Sequence, residues 1–510
     1  MKDSRISSVW VALMGVLLGM LIMLLIVRLS PKQNTSIGRR EWTKLNLILN
    51  KIEDCYVDTI DFSAVTEAAA SAALGALDPH SIYLPPVELG ESEEDLSGNF
   101  EGIGIQFNVP NDTAVVMEVI PGGPSEKIGL QKGDRLIKVN GTDIAGVKFP
   151  QDSMVRRMKG PAGTKVTVTV KRGKEVIPFE ITRDKIRTHS VSACFMVNDT
   201  TGYIRLDKFS RTSASEFYTH GAILEAGGMR HLIFDLRDNT GGYLDQALTL
   251  SNLLLAKGDT IVYTQGRKSR KEVFCADGKG PFQDVRLSIL IDDVTASSSE
   301  IVAGAIQDNG RGKIVGRRSF GKGLVQEPFY FNDGSGIRLT VARYYTPSGR
   351  CIQKPYSEDY NYDIYRRYES GEMVNADSMK IENGGIIPDI FVPVDTTRAT
   401  PFYINCNKKA TAMRFAAEFF DSHKDELSAI EDYPALVKYL DAAGLEQKFL
   451  SFAAKKDALV PKPGEWAEDK SYMMTQVRAL VGRYSAMGDN AFYHVYLDID
   501  DTFKAALTAQ

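Results

Sequence analysis

Two short apolar runs, residues 232–236 and 287–291, constrain the fold most tightly. Each reads as a strand buried on both faces. A glycine loop, Asp238-Asn239-Thr240-Gly241-Gly242, follows the first run, and a helix begins by Leu244. A serine cluster, Ser297, Ser298 and Ser299, follows the second and opens an apolar-periodic helix, after which residues 313–316 read as another strand. Strand, loop and helix repeat in that order. The chain is therefore expected to hold an α/β core with its active-site loops at strand C-terminal ends.

At 510 residues the chain is too long for one core, and two to four domains are expected. A net charge of −4 gives no reason to expect nucleic acid as a partner. The five cysteines are scattered, odd in number and without CxxC spacing, which excludes a disulfide framework and a zinc site but leaves one isolated bridge open. The six histidines show no HxxxH or HExxH spacing, so no metal site and no cofactor is expected. Residues 9–27 are nineteen consecutive uncharged residues, enough to span a bilayer, with Lys2 and Arg5 before them. No cleavage-site pattern follows closely, so the run reads as an uncleaved signal anchor.

Further along, residues 39–77 carry helical periodicity for two or three short helices, ending at Asp78-Pro79-His80-Ser81. His80 reads as a structural hydrogen-bonding residue. From Gly98 the period shortens to strands at 100–107 and 114–120, and Asn140-Gly141 marks a hairpin. Residues 356–377 are polar and tyrosine-rich and read as a surface excursion. Beyond Thr400 the pattern is wholly helical.

The chemistry concentrates in residues 292–326. A serine hydroxyl needs an adjacent base, and a lysine serves when desolvation lowers its pKa from about 10.4. Lys322 lies between Gly321 and Gly323, with Phe320 and Leu324 as apolar neighbours. Backbone N–H groups at the serine helix N-terminus and on the Gly241-Gly242 loop suit a developing oxyanion. Other readings stand beside this one. Ser297 with Glu300 is a capping box, Gly316 to Gly323 nearly matches a phosphate loop but lacks its Ser/Thr, and Lys322 also reads as a surface charge, against which its glycine flanks argue only mildly.

The stretch TASSSEIVAGAIQDNGRGKIVGRRSFGKGLVQ, with YVDTIDF, LDPHSIYLPP, FDLRDNTGG, VARYYTPSGRCIQ and GGIIPDI in order, resembles the C-terminal processing peptidases, also called tail-specific proteases. The run GGPSEKIGLQKGDRLIKVNG resembles a PDZ domain. The resemblance implies an α/β serine protease core of the ClpP/crotonase-like type with an inserted PDZ domain. The expected organisation is an anchor over 1–30, a helical region over 31–97, a PDZ domain over 98–184, the peptidase core over 185–400 and a helical module over 401–510. By position in the motifs, Ser297 is implied as nucleophile, Lys322 as base and Gln326 as the residue that positions it. Ser298 with Gly241 or Gly242 is implied as the oxyanion hole, and Gly102, Ile103, Gly104 and Ile105 as the PDZ peptide-binding loop. Ser298 stands where the family often has alanine. The partners implied are protein or peptide substrates with accessible C-terminal tails, with room for an activating adaptor and a homodimer. The implied location is the bacterial inner membrane, with the catalytic part in the periplasm.

Overall fold

The computed structural model describes residues 38–109, 112–356, 360–380, 384–395 and 400–509. The apolar run 9–27 lies outside them, and no helix among the described residues is long and apolar enough to cross a membrane. The chain forms two compact units, Met1–Ala73 and Leu74–Gln510. The helices Gly38–Cys55 and Phe62–Gly75 make up most of the described part of the first unit. Asp61 caps the second of them, accepting the N–H groups of Ser63 and Ala64.

The second unit is built on a six-stranded sheet. Its strands run in the order Val191–Met196, Thr201–Leu206, His231–Asp235, Arg286–Ile291, Lys313–Gly316 and Ile390–Phe391. The first pair is antiparallel and every other pair parallel. Period-2 alternation divides the apolar side chains between two layers. Leu232, Phe234, Ile289 and Ile291 pack on the helices Ser213–Ala226, Leu244–Leu254 and Ser298–Asp308. Ile233, Leu290 and Val315 face the other way, onto Phe503 and Ala506. Those two residues belong to the last helix, Asp501–Thr508. The C-terminal helices therefore do not form a wholly separate module, because the chain returns at its end to close the second face of the core sheet.

A second, antiparallel sheet stands beside the core sheet in the same unit. Its long strand Gly336–Tyr345 pairs with Ile82–Leu84, Leu324–Tyr330 and Thr260–Gln265. A third has the strand order Ile105–Asn108, Ala114–Val119, Arg135–Val139, Lys165–Arg172, Glu175–Thr182. The expected strand over 100–107 is broken at Ile103-Gly104, where Gly104 takes φ +75°. Its first half, Asn99–Gly102, pairs instead with Asp184–Arg187. At the predicted hairpin Asn140 and Gly141 both have positive φ, as a type I′ turn requires.

The segment read as a surface excursion is one over most of its described length, with Tyr356, Tyr362, Tyr365 and Tyr368 exposed, but a few buried residues pin it to the core. Tyr360 is 5% exposed, and Arg367 and Glu372 are buried as an ion pair. Polarity hid these anchors because buried charges are tolerated when paired: one carboxylate, Glu372, accepts from Arg318 at 2.7 Å and from Arg367 at 2.8 Å. All five cysteines are free.

The helices after Thr400 brace the third sheet. Phe420 packs so closely on Gly133 that a Cβ there would lie 2.8 Å from its ring. Arg135 pairs with Asp421, and Lys132 Nζ donates to the carbonyls of Arg483 and Ser485. Burial lowers the Lys132 pKa to about 8.

Candidate functional site

The strand Arg286–Ile291 ends in a tight loop governed by Asp292. Its carboxylate accepts the N–H of Val294 and Thr295, the Thr295 hydroxyl, and the N–H of Asp238 from the neighbouring strand end. The loop delivers Ser297 to the N-terminus of the helix Ser298–Asp308 with φ 55° and ψ −116°. A non-glycine residue held there costs roughly 1–3 kcal/mol and persists only where its surroundings impose it.

Glu300 does part of the imposing. Its Oε2 accepts the Ser297 N–H at 2.8 Å, which is half of the capping box expected from the sequence. The same oxygen accepts the Lys322 N–H at 2.9 Å. Oε1 accepts the Gly321 N–H and the Ser319 hydroxyl. Glu300 is fully buried; burial pushes its carboxyl pKa up, and the four donors pull the other way. The buried Tyr344 hydroxyl lies between the carbonyls of Ser297, 3.0 Å away, and Lys322, donating to one or the other. The two segments are thus joined through both their N–H and their C=O groups.

Lys322 is half-buried, and no hydrogen bond or ion pair is made by its ammonium group among the described residues. Burial lowers its pKa, and the positive charge of Arg338 lowers it further. Gln326 was expected to position Lys322. Its amide donates instead to the carbonyl of His80, and no hydrogen bond joins Gln326 to Lys322 among the described residues. The reason is register: Gln326 pairs with Thr340, and the loop of His80 is sewn to that point because Asp78 accepts the Thr340 hydroxyl while Ser81 accepts its N–H. His80 does form hydrogen bonds, as read from the sequence, with Nε2 2.7 Å from the Tyr360 hydroxyl. It also lines the cleft, and burial lowers its pKa to about 4, so it is neutral at neutral pH.

The glycine loop abuts the serine. A Cβ on Gly241 would lie 2.7 Å from Ser297 Cβ and 2.9 Å from Ser298 N, and Gly241 takes φ +99°. The Gly241 N–H is committed to Asn239 Oδ1 at 2.9 Å, so it is not a free oxyanion donor. The N–H groups of Gly242 and Ser298 make no hydrogen bond among the described residues. The Ser298 hydroxyl donates to the Gly242 carbonyl and that of Ser299 to the Asn239 carbonyl, which engages both alternative serines structurally.

Ser297, Ser298, Gly241, Gly242, Lys322 and Gln326 all line one cleft of about 1280 Å³. Tyr344, Arg338 and Tyr360 line it too and went unnoticed in the sequence. The motif VARYYTPSGRCIQ contained Tyr344, but nothing local marked it. The loop expected to bind peptide, residues 102–105, lies apart, joining the strand Asn99–Gly102 to the third sheet. There Ile103 is buried, its carbonyl accepts the N–H and hydroxyl of Ser125, and the strand Ile105–Asn108 forms the sheet edge.

A model of peptidase family S41 matches residues 200–365, and a PDZ domain model matches residues 92–171. The carboxy-terminal processing protease CtpA of Bacillus subtilis is 33% identical over 325 residues, spanning 63% of this chain and 69% of that protein. A probable CtpA-like serine protease of Staphylococcus epidermidis is 32% identical over 318 residues, spanning 62% and 64%. Among solved structures, a photosystem II D1 C-terminal processing protease is 26% identical, with a TM-score of 0.39, covering 69% of this chain and 86% of that one. The chain belongs to peptidase family S41, the carboxy-terminal processing proteases, and is a serine-type peptidase that carries a PDZ domain.

Proposed function

We propose that this peptidase works through a Ser297–Lys322 dyad and cleaves proteins at or near their C-termini. The observation that carries the reading is the tie between the two segments: Glu300 accepts both N–H groups, and the Tyr344 hydroxyl lies within reach of both carbonyls and donates to one or the other, at the wall of one cleft. Ser297 Oγ attacks the scissile carbonyl as its proton passes to the neutral Lys322 amine. The resulting oxyanion is received by the N–H groups of Ser298 and Gly242. Collapse of the intermediate expels the amine, which takes the proton back from Lys322, and leaves an ester on Ser297. Water, deprotonated by Lys322, hydrolyses that ester. Gln326 acts on the dyad indirectly, by holding the His80 loop against the strand that follows Lys322.

The PDZ domain binds substrate tails. A peptide adds as a strand beside Ile105–Asn108, its carboxylate at Gly102, Ile103, Gly104 and Ile105. Residues 9–27 hold the enzyme in the bacterial inner membrane with its catalytic part in the periplasm, which protease protection of intact spheroplasts tests.

The deciding experiment compares digestion of casein or another unstructured protein by the wild type, Ser297→Ala and Lys322→Ala. Both variants are expected to lose cleavage with unchanged circular dichroism. Cleavage that persists at the wild-type rate in either one rules out the dyad.

A further inference from the structure

Arg338 lies in the cleft on the strand Gly336–Tyr345, in register with Pro328 and two residues from Thr340, the partner of Gln326. It is half-buried. One terminal nitrogen donates to Ser92 Oγ at 2.6 Å, from the helix Pro86–Ser97, which also lines the cleft. Its other nitrogens make no hydrogen bond, and no carboxylate reaches it, among the described residues. Two buried cations of the cleft outside the dyad are paired: Lys354 with Asp363 at 3.4 Å and Arg367 with Glu372 at 2.8 Å. Glu93, next to Ser92 on that helix, is hydrogen-bonded to the Tyr330 hydroxyl.

A half-buried guanidinium that faces a cleft with most of its donors uncommitted is suited to an anionic ligand. Its planar fork fits a carboxylate through two parallel N–H bonds, and the Ser92 bond fixes the plane of that fork. Leu84, Leu89 and Leu96 line the same cleft, so its walls suit a peptide with apolar side chains and one negative charge.

We propose that Arg338 is a carboxylate receptor of the proteolytic cleft, binding an anionic group of the peptide substrate independently of the PDZ loop. The proposal rests on the cleft being the peptide-binding site described above. The carboxylate comes either from the C-terminus of the peptide or from an aspartate or glutamate side chain.

Three labelled peptides with a common apolar body distinguish these sources: one with a free C-terminal carboxylate, one with a C-terminal carboxamide, and one carboxamide with a glutamate near its end. Their affinities are measured by fluorescence anisotropy on the full chain carrying Ser297→Ala, with Arg338 intact and with Arg338→Met or Arg338→Lys. Binding at the PDZ loop is common to all three proteins. Removal of a charge-assisted pair is expected to weaken the carboxylate peptide about ten- to hundred-fold in Arg338→Met, less in Arg338→Lys, with the plain carboxamide unchanged. Loss confined to the free-acid peptide assigns the C-terminus, and loss confined to the glutamate peptide assigns the side chain. Equal affinities in Arg338 and Arg338→Met proteins of matching melting temperature overturn the proposal. The readout needs no turnover, so a failed dyad, seen as cleavage by Ser297→Ala, is distinguishable from a failed receptor.

Discussion

Ser297 and Lys322 share two side-chain partners at their backbones: one Glu300 oxygen accepts the two N–H groups at 2.8 and 2.9 Å, and one Tyr344 hydroxyl lies at the two carbonyls. The distance between the proposed nucleophile and its base is thereby set by two buried side chains that touch neither reacting atom. Such positioning is worth orders of magnitude in rate, since small displacements of reacting groups are costly.

Glu300→Gln is expected to damage both stability and rate. An amide presents one oxygen and one NH2 to four donors, so at least one buried N–H faces another donor. A stability loss of about 2–4 kcal/mol is expected from breaking such a buried network. Denaturant titration and casein turnover measure the two effects, and a variant with wild-type kcat would show that the carboxylate does not set the geometry.

Tyr344→Phe removes one hydroxyl and keeps the ring in its buried place. Stability is expected to fall by about 1–2 kcal/mol. The rate constant kcat is expected to fall more than KM changes, because the dyad loosens while the cleft wall stays. Steady-state kinetics on a fluorogenic peptide separate the two parameters.

Gly241→Ala places a methyl group against Ser297 Cβ and Ser298 N at a backbone angle that favours glycine. Activity is expected to drop at least about a hundred-fold as the oxyanion donors shift. Circular dichroism and a melting curve check that the fold survives, and an active Gly241→Ala enzyme would mean that the loop has freedom the packing denies.

Activity is expected to rise with pH through the Lys322 pKa, since only the neutral amine accepts the serine proton. Burial first and Arg338 second hold that pKa below 10.5, so the rising limb of kcat/KM lies below that value. Arg338→Met removes one of the two causes and is expected to move the limb to higher pH. The same shift affects stability: the penalty of a buried charged lysine is full below its lowered folded pKa and fades as pH rises toward 10.5. A pH–rate profile of both proteins checks the sign, and a limb that does not move removes Arg338 as a cause.

Phe420→Ala is expected to loosen the third sheet from the C-terminal helices by opening the contact at Gly133. A cost of about 3–5 kcal/mol is typical for a buried phenylalanine. Hydrogen exchange in the strand Arg135–Val139 is the measurement, with faster exchange expected there and none in Arg286–Ile291.

Much of this enzyme was legible in the chain because its signals are local. The runs at 232–236 and 287–291 became adjacent parallel strands because their length and apolarity left no wet face to offer. The Asn140-Gly141 turn, the serine at a helix N-terminus and the glycine-flanked lysine each follow from a few neighbouring residues. The tertiary structure decided what depends on distant partners. Gln326 reaches a carbonyl 246 residues away, and Glu300, a plain capping residue in the sequence, accepts donors from the lysine loop as well. The burial of Tyr360, Arg367 and Glu372, and the return of the last helix to the core sheet, were hidden for the same reason. Hydrogen bonds and ion pairs between remote segments leave no periodicity in the sequence, and only folding brings their donors within reach of their acceptors.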